Sequence, residues 1–113
     1  VETVDLCLGR LLPAVAEARG ILVVSADHGN ADDMYERDKK GNILRDPATG
    51  EPKPKTAHSL NPVPCFIYDP AGAGRLRLSG KPDLGISSLA ATCLTLLGFQ
   101  PPEDYDPSIV DVG

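Results

Sequence analysis

The sequence predicts an α/β fold, and three features carry that prediction. Apolar residues recur at helical spacing over residues 4–18. The run Ile21-Leu22-Val23-Val24 follows at once, continuous and largely β-branched, and a second helical stretch returns over residues 85–97. A helix that leads straight into a strand with no polar face suits a sheet covered on both sides.

Each element has its own justification. In the first helix Val4, Leu8, Leu11, Leu12, Val15 and Ala18 form a stripe, while Glu2, Asp5, Arg10, Glu17 and Arg19 can face water, and Gly20 ends it. Pro13 cannot donate to the carbonyl of Gly9, so a kink or a split is expected there. The strand at 21–24 should be buried on both faces. Residues 32–55 then carry equal numbers of acidic and basic side chains, with turn-formers at Gly41-Asn42, Asp46-Pro47 and Thr49-Gly50. Only Met34, Tyr35, Ile43 and Leu44 offer apolar area, so a charged hairpin or long loop is expected at about 32–57. Val63-Pro64-Cys65-Phe66-Ile67-Tyr68 reads as a second strand, with Pro62 and Pro64 placing its start at a sheet edge. Residues 69–74, Ala73 among them, read as a turn, and Leu76 and Leu78 alternate with Arg75, Arg77 and Ser79 as a short half-exposed strand. Ile86, Leu89, Ala90, Cys93, Leu94 and Leu97 then make a helix that stops at Gly98. Pro101-Pro102 ends regular structure, and the acidic tail is expected to lie over the surface.

Composition narrows the function classes. At 113 residues, 42% hydrophobic, with 11 Gly and 11 Pro, the chain has enough apolar material for one core and resembles neither collagen nor a disordered segment. Its net charge of -5, from 16 acidic and 11 basic side chains, argues against nucleic acid and against an anionic membrane surface as partners. No apolar run approaches the length of a membrane span. Cys7, Cys65 and Cys93 show no CxxC spacing, which points away from a disulfide framework or zinc knuckle and toward a reducing compartment, the cytoplasm. Cys65 and Cys93 are expected to be inert core thiols. Val1 is not a Met and the first residues already read as helix, so length alone leaves open a whole protein or a fragment.

The stretch Val23-Val24-Ser25-Ala26-Asp27-His28-Gly29-Asn30 is the most informative chemically. Ligands of open α/β sheets bind beyond the carboxyl ends of parallel strands, which is where Asp27 and His28 stand. A carboxylate and an imidazole are a usual ligand pair for a divalent transition metal, and Gly29 lets the backbone turn sharply. The competing reading is that Asp27 caps a turn and His28 is a half-buried polar residue. His58, just before the second strand, can return to the same end of the sheet as a further ligand, or it is an ordinary surface histidine. Asp32 and Asp33 can extend the acidic ligand set but read first as a solvated loop or helix start. Lys39, Lys40, Lys53 and Lys55 can attract a phosphate but lie among carboxylates and read as a solvated face. Ser87-Ser88 reads as the exposed first turn of a helix rather than a nucleophile, since nothing near it supplies a base. There is no Walker-type or Rossmann glycine loop.

The run Ser25-Ala26-Asp27-His28-Gly29-Asn30-Ala31-Asp32-Asp33-Met34, then Thr56-Ala57-His58-Ser59-Leu60-Asn61-Pro62-Val63-Pro64, then Gly85-Ile86-Ser87-Ser88-Leu89-Ala90-Ala91-Thr92-Cys93-Leu94 resembles the C-terminal portion of the cofactor-independent phosphoglycerate mutases of the alkaline phosphatase superfamily. The resemblance implies part of an alkaline-phosphatase-like sheet sandwiched by helices. It also implies a metal-dependent enzyme that interconverts 3-phosphoglycerate and 2-phosphoglycerate through a phosphoserine. Two divalent ions are implied, Mn²⁺ first, with Mg²⁺, Co²⁺ or Zn²⁺ as alternatives. Asp27 and His28 would hold the ion that activates the serine, and His58 the second. The nucleophilic serine, the substrate-gripping arginines and the remaining ligands of the second ion would lie upstream. The 113 residues would then be a C-terminal fragment, inactive alone, of an enzyme expected to be a cytoplasmic monomer with a small-molecule substrate. The segment 36–55 and the tail Tyr105-Asp106-Pro107-Ser108 resemble the plant and trypanosomatid branch. Alternatives are another superfamily enzyme, such as a phosphopentomutase, phosphatase or sulfatase, or a non-catalytic binding module on the same scaffold.

Overall fold

A computed structural model describes residues 1–72 and 74–113, in two compact units. The larger comprises Glu2–Val24 and Cys65–Gly113; the smaller is built from Ser25–Pro64. Helices and small antiparallel sheets make up an α/β structure.

In the larger unit α1 spans Glu2–Glu17, with Glu2 and Asp5 in its first turn, where negative charge complements the helix dipole. Pro13 lies inside it and does not split it. The helix ends one turn before the glycine that the sequence suggests: Arg19, at φ 53, takes the left-handed position, and the Gly20 N–H donates to the Val15 carbonyl at 2.9 Å. None of its residues is buried, and Val4, Leu6 and Leu11 stand exposed.

β1 (Leu22–Val24) pairs antiparallel with β2 (Phe66–Tyr68), in the register Leu22 to Tyr68 and Val24 to Phe66. The expectation of a strand buried on both faces is corrected: among the described residues β1 pairs with β2 alone, and it is half-buried along its length. β2 begins after Pro64 and Cys65, which leaves Cys65 outside the strand and exposed. Of the turn expected at 69–74, Ala73 lies outside the described residues. Its first part is closed by the Asp69 carboxylate, which accepts from the Gly72 N–H at 3.0 Å and from Arg75 Nε at 2.9 Å.

β3 (Leu76–Leu78) pairs antiparallel with β4 (Val110–Val112), bringing Arg77 opposite Asp111. A 3₁₀ turn at Ile86–Ser88 leads into α2 (Leu89–Leu96), which closes at Gly98, at φ 85, with the Phe99 N–H donating to the Leu94 carbonyl. Three expectations are corrected here. The tail does not merely lie over the surface: β4 packs on α2, and Ser108 and Val110 are buried with Ala91 and Thr92. The Thr92 hydroxyl, fully buried, donates to the Ser88 carbonyl at 2.7 Å and accepts from the Ile109 N–H at 3.0 Å, tying helix to tail. Ser88 is buried rather than exposed, and Cys93 is exposed because the buried side of α2 is set by Ala91 and Thr92.

In the smaller unit the charged segment folds back on itself. Tyr35 bridges Pro54, Arg37 bridges Ile43 and Arg45 bridges Pro52. Its two tight turns are closed by aspartates: Asp38 accepts from the Lys40 and Asn42 N–H groups, and Asp46 from those of Ala48 and Thr49. Gly41 and Gly50 sit at positive φ in these turns, where a side chain would strain the backbone.

Candidate metal centre

Asp27 and His28 follow β1 in the chain, in a turn that has left extended geometry, so consecutive side chains are free to converge. Asp27 Oδ1 stands 3.5 Å from His28 Nε2, beyond hydrogen-bond range. Two donors each about 2.1 Å from one tetrahedral ion lie roughly 3.4 Å apart, so this spacing suits a shared ion. His28 Nδ1 is 3.1 Å from the Gly29 carbonyl. A carbonyl can only accept, so this contact assigns a proton to Nδ1; in the neutral ring the lone pair is then on Nε2, on the Asp27 side, the arrangement that orients metal-ligating histidines. Asp27 is 87% exposed and His28 34%.

His58 comes from the far side of the charged segment, and its ring stacks on that of His28, with centroids 3.5 Å apart and planes inclined by 9°. An imidazole lone pair lies in the ring plane, so two parallel rings at this separation cannot both aim at one ion. They suit two. Among the described residues no three His, Cys, Asp or Glu side chains gather into a complete ligand set, so the donors fit part of a metal site and not the whole of one.

The meeting of the two histidines is made by the backbone beside them. Gly29 and Ser59 form an antiparallel bridge in which the Ser59 N–H donates to the Gly29 carbonyl at 2.8 Å, the same oxygen that faces His28 Nδ1. Gly29 is buried, and a Cβ there would lie 2.1 Å from Ser59 Oγ, so any larger residue requires Ser59 or Asp32 to move. The Asp32 carboxylate accepts from the Ser59 hydroxyl at 2.7 Å and from the Asn61 side-chain amide at 2.5 Å. These bonds, Ser59's first, hold its pKa below the ordinary 3.8.

The structure therefore places His28 beside both Asp27 and His58, with the two histidines joined by a loop bridge rather than by the expected carboxyl ends of parallel strands. Asp32, expected as a solvated loop residue, instead binds Ser59 and Asn61, two residues that the sequence does not single out for a role of their own. The available signal was a cluster of short hydrogen-bonding side chains flanking both histidines. Asp33 and Lys55, read as solvated, form a half-buried ion pair.

Residues 1–101 match the model of the Metalloenzyme superfamily. The 2,3-bisphosphoglycerate-independent phosphoglycerate mutase of Trypanosoma brucei brucei is 45% identical over 116 residues, covering 99% of this chain and 20% of the relative. Mutase 1 of Arabidopsis thaliana is 40% identical, covering 98% of this chain and 20% of its own length. A crystal structure of Leishmania mexicana phosphoglycerate mutase at low cobalt concentration superposes with a TM-score of 0.88 at 43% identity, covering 99% of this chain and 20% of that one. The chain thus spans about a fifth of the length of the curated relatives it matches.

Proposed function

The chain belongs to the Metalloenzyme superfamily, and from that premise we propose that it is the C-terminal part of a phosphoglycerate mutase that interconverts 3-phosphoglycerate and 2-phosphoglycerate in glycolysis. The relatives named as such mutases match nearly the whole chain at 40–45% identity. The observation that carries the reading is the pair of stacked imidazoles, each with its own ring plane, beside the Asp27 carboxylate.

In this reading Asp27 Oδ1 and His28 Nε2 hold one divalent ion and His58 contributes to a second, with Mn²⁺ the expected metal. Bound there, such ions lower the pKa of an attacking hydroxyl and neutralise phosphoryl oxygens. By accepting from Nδ1, the Gly29 carbonyl favours the tautomer in which the neutral ring offers Nε2, on the Asp27 side, to an ion. Gly29 and Ser59 hold the two histidine-bearing segments at one spacing. The serine nucleophile, the substrate-gripping arginines and the remaining ligands belong to the part of the enzyme outside these residues. We take the whole enzyme to be a cytoplasmic monomer; no helix described is long and apolar enough to cross a membrane, and all three cysteines are free.

The test is His58→Ala in the full-length enzyme. Metal-free protein titrated with Mn²⁺ should take up one tight equivalent where wild type takes two, and turnover should collapse. Wild-type stoichiometry and activity at limiting Mn²⁺ would remove His58 from the ligand set.

A further inference from the structure

The His58 ring needs an explanation for its orientation. It is exposed, and a stacked ring by itself can slide or turn. What surrounds its backbone is more directive. Ser59, the next residue, is held twice: its N–H by the Gly29 carbonyl at 2.8 Å and its hydroxyl by Asp32 Oδ2 at 2.7 Å. Asn61, three residues past His58, donates its side-chain amide to that same Oδ2, and its N–H faces Ser59 Oγ at 3.4 Å. Asp32 itself sits four residues past His28, on the segment that carries the first ligand pair. One carboxylate oxygen thus joins the two ligand-bearing segments, and its acceptor capacity is spent on the clamp rather than left for an ion.

We propose that Asp32 is a positioning residue: through Ser59 and Asn61 it holds the His58 loop against the Asp27–His28 turn, so that the second imidazole is in place before any ion binds. The proposal rests on the metal reading above and adds to it a residue that touches no ion. A carboxylate suits the task because it only accepts and can take two donors on one oxygen, and bonds to an ionised acceptor are stronger than neutral ones. Ionisation persists below the usual carboxylate range, in keeping with those two donors. Preorganisation of this kind matters for metal affinity because a loop that must be ordered on binding weakens the ion it helps to hold.

The experiment uses the full-length protein and the variants Asp32→Ala and Asp32→Asn, with two readouts. Titration of metal-free protein with Mn²⁺ should show one of two ions weakened about 10–100-fold in Asp32→Ala, while the other stays within about threefold of wild type. Asp32→Asn keeps the shape and one acceptor oxygen and should lose less, and it carries the test if Asp32→Ala does not fold. Hydrogen exchange of the metal-free protein should be at least about tenfold faster over residues 58–61 in Asp32→Ala, with the rest of the chain unchanged. Unchanged exchange together with wild-type uptake of both ions overturns the proposal. Equal weakening of both ions with a lowered melting temperature also overturns it, because that is general destabilisation. A wild-type protein that takes up no Mn²⁺ overturns the metal reading instead, and the exchange measurement then reports separately whether Asp32 holds the loop.

Discussion

Gly29→Ala should be among the most damaging single-methyl additions in this chain. The added Cβ would lie 2.1 Å from Ser59 Oγ and 2.6 Å from Asp32 Oδ1. An unstrained contact needs roughly 3.5 Å, so Ser59 Oγ has to retreat by about 1.4 Å. Rotating the Ser59 hydroxyl away relieves the clash but gives up its 2.7 Å bond to Asp32. Moving the Ser59 backbone instead stretches the 2.8 Å bond to the Gly29 carbonyl and carries His58 off the face of His28. Overpacking of this kind costs about 1–3 kcal/mol in stability, which a whole enzyme can absorb. The larger effect is on function, since a displacement of about 1 Å at a catalytic constellation costs on the order of 100-fold in rate, or about 2.7 kcal/mol in activation free energy. Under the proposed function, the assay is kcat/KM for conversion of 3-phosphoglycerate by the full-length protein at saturating Mn²⁺, with circular dichroism to show that the variant is folded. A folded Gly29→Ala enzyme within about threefold of wild type would refute the close approach as a determinant of the site.

Two further outcomes are expected away from the site. Thr92→Val is close to isosteric but orphans the Ile109 N–H, so it should lower stability by about 1–3 kcal/mol, read as a lower urea midpoint at unchanged slope. Thr92→Ser keeps the hydroxyl and should lose only about 0.8 kcal/mol for the missing methyl; equal stability of Thr92→Val and wild type would show that the hydroxyl does not tie α2 to the tail. The Asp38 carboxyl is held below 3.8, first by the Asn42 side chain and then by the Asn42 N–H. Its native pKa lies below the unfolded value, so its contribution to the turn is full above 3.8 and is lost as pH falls through the lowered native value. Asn42→Ala should raise the Asp38 pKa toward 3.8 in a carboxyl-carbon NMR titration, and no rise would mean that the amide is not the cause.

Local chemistry explains which parts of this structure were legible in advance. The α1 helix, the halt at Gly98, the half-exposed Leu76–Leu78 strand and the turns at Gly41 and Gly50 all follow from residues adjacent in the chain, whereas the apolar stripe of α1 does not mark a buried face. The end of α1 is less legible, because Arg19, not Gly20, takes the left-handed conformation that propensity favours for glycine, and the helix stops at Glu17. The tail was misjudged for a different reason. Ile109, Val110 and Val112 stand among acidic and proline residues, and nothing local announces that β3 and the Thr92 hydroxyl are waiting for them. The apolar neighbours of Cys65 and Cys93 point both inward, yet a strand that starts at Phe66, three residues after Val63, and a helix face set by Ala91 and Thr92 leave both exposed.

The sequence by itself determined the vocabulary of the site: a carboxylate and two imidazoles of the kind that hold divalent ions, a glycine beside the first pair, and the order of helices and strands around them. Ligand type and periodicity are properties of neighbouring residues, and so they can be read along the chain. Only the tertiary structure decided that His28 and His58 meet face to face across the whole charged segment, through one carbonyl and one aspartate. That pairing depends on which backbone groups find each other after the intervening chain has folded back, a long-range choice that no local pattern encodes.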